Sequence, residues 1–122
     1  FQLSNSLKNN HVNCKEFKKS HSFQIDSLPQ TRYVIEIAKT QWKDGTNQFA
    51  CSYIIIEWGC GTSCQMYAVF NQETGNYIDS FSTSLGCEYN AKDNLIKIIK
   101  DPILGGEEYY LIIENKALIK RL

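Results

Sequence analysis

From Phe23 onward, short runs of β-branched and aromatic residues alternate with clusters of turn-forming residues at intervals of about ten positions. Spacing of this kind is typical of all-β sandwiches and barrels. It predicts a mainly antiparallel all-β fold, a meander of about eight strands with short connections and no helix of about ten residues or more. The predicted strand segments are 32–39, 49–58, 65–70, 77–82, 95–100, 109–114 and 117–122.

Two of these segments have patterns that also predict burial. In segment 32–39, Tyr33, Ile35 and Ile37 occupy alternate positions, which predicts a strand with one apolar face. In segment 49–58 both alternating sets of residues are apolar, which predicts a central strand buried on both faces. The Asp-Gly pair within 43–47 predicts a tight turn between the two strands.

Residues 1–20 are rich in Asn, Ser and Lys and show no sustained hydrophobic period, which predicts an N-terminal arm or a short helix. Residues 21–122 are predicted to form a single antiparallel β domain, either a small sandwich or a barrel. The 122-residue length fits one such domain. A chain of this size buries roughly two-thirds of the surface that its unfolded form exposes.

Charge and hydropathy exclude some classes of partner. The thirteen basic and thirteen acidic side chains give a formal net charge of zero at pH 7, so nucleic acid is not an expected partner. No apolar run reaches the roughly 18 residues of a spanning helix, so no membrane span is expected in the given chain. Because the chain begins at Phe1 rather than at methionine, we expect that a signal peptide has been removed.

Cysteine is abundant in this chain. The five cysteines are Cys14, Cys51, Cys60, Cys64 and Cys87. Such a content favours an oxidising compartment, and hence a secreted or periplasmic protein. Four cysteines can form two bridges and leave one thiol, but the spacing does not fix the pairing.

The run Trp-Gly-Cys-Gly-Thr-Ser-Cys-Gln at 58–65 concentrates the candidate chemistry between two apolar segments. A cysteine nucleophile there needs a downstream histidine as base, but His11 and His21 both lie upstream. A redox dithiol normally has the Cys-x-x-Cys spacing at a helix N-terminus, whereas this spacing is Cys-x-x-x-Cys between strands. A metal site through Cys60, Cys64, Cys87 and a histidine is the third alternative, and one such cysteine pair is a weak signal for it.

The structural alternative, which we favour, is a disulfide between Cys60 and Cys64 that closes the loop between two strands. A second bridge is predicted among the remaining cysteines, Cys14, Cys51 and Cys87. The glycines allow sharp backbone turns, and the hydroxyls and backbone donors make the loop a candidate binding surface. That candidate binding loop consists of Trp58, Gly59, Gly61, Thr62 and Ser63.

The same run resembles a family of small exported bacterial proteins of uncharacterised function. Its members read Asn-Phe-Ala-Gly-x-Tyr, then Trp-Gly-Cys-Gly-Thr-x-Cys-Gln, then a Thr-Gly turn, and this chain is similar over roughly 47–95. The chain differs by inserting Gln48 and by placing Cys51 where the family pattern has glycine. The resemblance implies export, but it does not imply any particular biochemical activity.

These observations together lead us to expect an exported β domain that acts by binding a protein or an envelope ligand. It would serve as a cell-envelope accessory protein or as an inhibitor of an exported hydrolase. We expect no catalytic residue, no cofactor and no metal site. The alternative is a thiol-dependent enzyme that uses Cys60 or Cys64.

Overall fold

A computed structural model describes residues 19–45, 47–101, 103, 108–112 and 118–121. Within them the chain forms a short 3-10 turn, one α-helix and eight strands in two sheets. The 3-10 turn is Ile25–Ser27, and the helix is α1 (Arg32–Asp44). The strands are β1 (Gln48–Phe49), β2 (Tyr53–Gly59), β3 (Gln65–Asn71), β4 (Tyr77–Thr83), β5 (Cys87–Glu88), β6 (Leu95–Ile98), β7 (Glu108–Leu111) and β8 (Ile119–Arg121).

The two sheets confirm the all-β prediction for the described residues. One sheet has the order β1-β2-β3-β4 and the other has the order β5-β6-β7-β8. Every paired strand is antiparallel to its neighbour, so each sheet is a meander. Because the strands are divided between two separate sheets, the fold is a sandwich, one of the two predicted alternatives, and not a single barrel. The predicted arm, residues 1–20, lies outside the described residues except for Lys19 and Ser20.

Helix α1 is a correction to the predicted strand at 32–39 and to the expected absence of long helices. The Thr31 hydroxyl accepts a hydrogen bond from the Val34 backbone N–H at 3.3 Å and so caps the helix N-terminus. Val34, Ala38 and Trp42, which are spaced by four, are its buried residues, whereas Tyr33 is 61% exposed. The period that governs burial here is therefore that of a helix. The alternation of Tyr33, Ile35 and Ile37 therefore does not mark a strand.

The Asp-Gly pair predicted as a turn ends this helix instead. Gly45 has φ +62°, a left-handed conformation that favours glycine, and its N–H donates to the Gln41 carbonyl at 3.0 Å. The chain then enters β1 rather than reversing between two strands. The predicted positive φ is present, but its role is to cap α1.

Strand β2 is the central, doubly buried strand that the sequence predicts. Ile54, Ile55 and Ile56 are all fully buried. The predicted run at 49–58 is interrupted, however, by a turn in which Ala50 and Cys51 have φ +50° and +65°. This turn places Phe49 opposite Tyr53, so one predicted strand is in fact a short hairpin.

The two faces of β2 pack against different partners. Tyr53 and Ile55 belong to a core shared by both sheets, to which the second sheet contributes Ile96 and Ile98. The opposite face belongs to a second core beneath α1. That second core contains Leu28, Val34, Ala38, Trp42, Ile54, Ile56, Trp58, Ala68 and Phe70. The domain therefore has three layers, a helix, a first sheet and a second sheet.

A side chain of α1 also covers the edge of β2. The Gln41 carboxamide accepts from the Glu57 backbone N–H at 2.8 Å and donates to the Glu57 carbonyl at 2.7 Å. These two hydrogen bonds copy those of a neighbouring strand beyond the point where β1 ends. Unpaired edge groups otherwise invite pairing with another chain, so Gln41 protects this edge.

The turn predicted at 71–76 joins β3 to β4 and holds the segment that precedes α1. The Asn71 side chain accepts from the backbone N–H groups of Glu73 and Thr74. Gly75 has φ +77°, and its carbonyl accepts from the Gln24 N–H at 2.8 Å. The turn thus fixes the chain near Phe23 against the first sheet.

In the described part of the chain, no helix is long and apolar enough to cross a membrane.

Candidate functional site

The cysteine loop connects β2 to β3 at one end of the first sheet. The last strand pair before it is Gly59 with Gln65, and the Cys60 N–H donates to the Cys64 carbonyl at 3.1 Å. Cys60 and Cys64 form a disulfide with a Cα–Cα distance of 5.0 Å. The predicted bridge is therefore present, and it closes the loop directly above the strand ends.

Two residues of the loop adopt left-handed backbone conformations. Gly61 has φ +121° and Ser63 has φ +53°. A non-glycine residue in this region costs roughly 1 to 2 kcal/mol, so the Ser63 conformation requires support from its surroundings. The disulfide supplies that support, together with a hydrogen bond of 3.2 Å from the Cys64 N–H to the Gly61 carbonyl.

The loop divides into a buried base and an exposed tip. Trp58 is only 6% exposed and belongs to the core beneath α1, so this predicted member of the binding loop supports the loop from below. Gly59, Gly61, Thr62 and Ser63 are exposed. Within the described residues the N–H groups and hydroxyls of Thr62 and Ser63 form no hydrogen bond. These groups are available to a partner.

A cleft of about 470 Å³, here called the loop-side cleft, adjoins this tip. One wall is formed by Ser63 and Cys64, and the chain that follows β4 contributes Leu85, which is 53% exposed. The cleft is also lined by Glu108 of β7 and by Lys100, which follows β6, and these two side chains form an ion pair of 3.1 Å. The cleft thus combines hydroxyls, an apolar side chain and a charged pair, a mixture suited to binding a polypeptide surface.

Cys87, the free thiol of the described residues, begins β5 and lies beside Tyr67 of β3. Its burial raises the pKa of the thiol from 9.0 to about 11, and the carboxylates of Glu57 and Glu88 act in the same direction. The hydroxyl of Tyr67 hydrogen-bonds the thiol and partly opposes the shift. At neutral pH the thiol is protonated, which makes it a poor nucleophile.

Two tyrosines share the environment of Cys87. Burial and the charge of a deprotonated Cys87 raise the pKa of Tyr67 from 10.0 to about 12, while hydrogen bonding to Thr83 lowers it. Burial raises the pKa of Tyr89 as well. These groups therefore stay neutral over the physiological range. The alternation of residues along the strands did not predict the cluster of Cys87, Tyr67 and Tyr89, although Glu57 of β2 and Tyr67 of β3 are register partners.

The remaining cysteines bear on the predicted second bridge and on the metal alternative. Cys51 is disulfide-bonded, whereas Cys14 lies outside the described residues. A metal site through Cys60, Cys64 and Cys87 would need three thiolates, and two of these sulfurs are joined in the disulfide. Over the described ranges, no group of three or more His, Cys, Asp or Glu residues could hold a metal ion.

Comparison with known proteins adds no relative to this picture. No family model matches the chain, no curated protein matches it, and no solved structure matches it.

The raised pKa of Cys87 predicts slow alkylation of the native protein. At pH 8, iodoacetamide should modify Cys87 about a hundredfold more slowly than an exposed thiol with a pKa of 9.0, because a pKa of about 11 lowers the thiolate fraction by that factor. The rate should rise with pH toward a midpoint near 11. Peptide mass mapping of the Cys87 peptide would follow the reaction.

The Glu57→Gln variant provides the matched test of the cause. Removing this charge should lower the midpoint for Cys87, because the Glu57 carboxylate raises the thiol pKa. The same protein unfolded without reductant serves as the control for an unperturbed thiol. A native midpoint equal to that of the unfolded chain would contradict the buried, protonated thiol.

Proposed function

We propose that this domain is an exported binding module whose recognition surface is the tip of the cysteine loop together with the loop-side cleft. The observation that carries the proposal is an exposed tip, residues 59–63, held in one conformation by a disulfide at its base. The partner is a protein of the cell envelope or an exported hydrolase that the domain inhibits.

Rigidity supports a binding role for the tip. Binding is weakened when a flexible segment has to be ordered, so a loop that is already closed loses little conformational entropy. The tip offers the backbone N–H groups and hydroxyls of Thr62 and Ser63, which form no hydrogen bonds within the described part of the chain. A partner that supplies carbonyl or carboxylate oxygens would satisfy them.

The neighbouring cleft supports a protein as the partner. Leu85 presents an apolar side chain that is 53% exposed, and the ion pair of Lys100 and Glu108 lies at the same cleft. An apolar contact surrounded by polar and charged groups is the arrangement found in protein interfaces. Leu85 would enter a partner pocket while the loop tip makes the hydrogen bonds.

Disulfide bonding supports export. Cys60 and Cys64 are paired, and Cys51 is also disulfide-bonded, a content typical of proteins that fold in oxidising compartments. The resemblance of the run at 58–65 to an exported bacterial family points in the same direction. We therefore propose a secreted or periplasmic location and membership of that family.

The test is a Thr62→Ala/Ser63→Ala double variant that keeps both cysteines. Immobilised protein would be exposed to the envelope and secreted fractions of the producing cells, and captured proteins would be quantified by mass spectrometry. Capture of the specific partner should fall at least about fivefold, because truncating a contact residue at an interface costs about 1 kcal/mol or more. The thermal midpoint should not change, because both side chains are exposed.

Thr40→Ala is the matched control. Thr40 is also an exposed hydroxyl residue, but it lies on α1, and its hydroxyl donates to the Glu36 carbonyl. This variant should capture the partner as the wild type does. Equal capture by the loop variant and the wild type would place recognition elsewhere on the domain.

Cysteine variants distinguish the binding role from the alternative function, a thiol-dependent enzyme. In the disulfide neither Cys60 nor Cys64 holds a thiol that could become a nucleophile. Turnover of an ester or peptide substrate that Cys60→Ser or Cys64→Ser abolishes in a folded protein would replace the binding proposal with the enzyme. Unchanged background hydrolysis in all variants agrees with the binding role.

A further inference from the structure

We propose that a second cleft, between α1 and the segment that precedes it, binds a small aromatic organic anion. This helix-side cleft has a volume of about 570 Å³. It lies apart from the cysteine loop, and none of its lining residues is shared with the loop-side cleft. Pockets for small ligands typically enclose about 300 to 1,000 Å³, so its size is sufficient for one compact molecule.

The apolar surface of the cleft is aromatic. Phe23 stacks on Trp42 with ring centroids 4.7 Å apart and an interplanar angle of 17°. Trp42 is 4% exposed, whereas Phe23 is only half-buried, so part of the Phe23 ring remains accessible from the cleft. A planar ring that enters can extend this stack, and Ile25 provides a further apolar contact.

The ionisable side chains that line the cleft are three lysines and one histidine. Lys19, His21, Lys39 and Lys43 line it, and no carboxylate is among its described lining residues. Lys39 and Lys43 are exposed and lie four positions apart on one face of α1. In the described part of the chain neither forms an ion pair. One acidic group on the ligand would meet both ammonium groups while its ring lies against Phe23.

The two walls of the cleft are fixed to each other. The Lys19 ammonium donates to the carbonyls of Trp42 and Lys43, at 2.6 and 2.8 Å. The Trp42 indole N–H donates to the Ser20 carbonyl at 2.9 Å. The segment is also held to the first sheet by the Ser20 N–H, which donates to the Gln72 carbonyl at 2.9 Å. The cleft is therefore formed before a ligand arrives, which favours binding.

A pair of fluorescent probes tests the charge requirement. 8-Anilinonaphthalene-1-sulfonate carries an aromatic body and one negative charge, and N-phenyl-1-naphthylamine has the same ring system without the charge. The wild-type protein should bind the anionic probe more tightly than the neutral one. Lys39→Gln and Lys43→Gln should each weaken binding of the anionic probe about two- to fivefold, as expected for one exposed ion pair. The double variant should weaken it by about four- to twenty-five-fold, the product of the two single effects, with unchanged binding of the neutral probe.

Lys92→Gln is the matched control, because Lys92 is an exposed lysine in the turn before β6 and does not line the cleft. It should bind both probes as the wild type does. Equal affinity of the wild type for the two probes would overturn the proposal. So would a double variant that binds the anionic probe with wild-type affinity.

The indole resonances locate the bound probe. The two tryptophans give two indole N–H signals in a nitrogen-15 spectrum, and Trp58→Phe assigns them. The Trp42 signal should shift on titration with the anionic probe, because its N–H lies in the wall of the cleft. The Trp58 signal should remain in place, because Trp58 does not line this cleft. A shift confined to Trp58 would place the probe elsewhere and refute the helix-side site.

Discussion

Replacing Ile54 or Ile56 with alanine is expected to lower the free energy of unfolding by about 2 to 5 kcal/mol in each case. Both side chains are fully buried, and both pack beneath α1 in the second core. Each substitution removes apolar contacts and leaves a cavity that a close-packed core fills only in part. Chemical denaturation monitored by far-ultraviolet circular dichroism measures the loss.

Ile55→Ala tests the opposite face of the same strand. Ile55 is fully buried in the core between the two sheets, so its replacement should have a cost in the same range. Ile103 provides the matched control, because it is 92% exposed and the same substitution there should change stability by less than about 0.5 kcal/mol. Losses under about 0.5 kcal/mol at all three buried positions would mean that β2 is not the centre of the fold.

Gly75→Ala is expected to destabilise the domain by about 2 to 5 kcal/mol, through backbone strain and overpacking together. Gly75 has φ +77°, where an L-residue is strained. A Cβ at this position would lie 2.8 Å from the Phe23 Cα and would also meet the Ser22 carbonyl oxygen. Because these are backbone atoms, no side-chain rotation can relieve the contact.

Gly59→Ala is the control for this substitution. Gly59 ends β2 with no positive φ, and no heavy atom lies within 4 Å of a Cβ built there. The unfolding midpoint of Gly59→Ala in a thermal scan should stay close to that of the wild type, whereas the midpoint of Gly75→Ala should fall by about 8 to 20 °C. If the two variants unfold at the same temperature, the close approach of the turn at 71–76 to the segment before α1 is wrong.

The elements whose patterns depend on local neighbours could be predicted from the sequence. Strand β3, the turn at 71–76 and the doubly apolar β2 follow from alternation and turn chemistry. The disulfide between Cys60 and Cys64 could also be anticipated, since a short loop between paired strands brings its two ends to bridging distance. The exposed Thr62 and Ser63 belong to the same local unit.

The strand predicted at 32–39 is wrong because two periods coexist in this part of the sequence. Tyr33, Ile35 and Ile37 alternate as in a strand, whereas Val34, Ala38 and Trp42 recur as in a helix. The cap residues Thr31 and Gly45 were signals for the helix. The apolar outer face of β2 and β3 needs a cover, and α1 provides that cover by packing its buried stripe against Ile54 and Ile56.

By itself, the sequence determined the antiparallel β character of the domain, its doubly buried strand and its disulfide-closed loop, because these depend on residues close together in the chain. Only the tertiary structure decided the two clefts. It brings Leu85 and Lys100 to the cysteine loop, and it sets Phe23 and Ser20 against Trp42. Such contacts join segments that are distant along the chain, so no local or periodic pattern in the sequence records them.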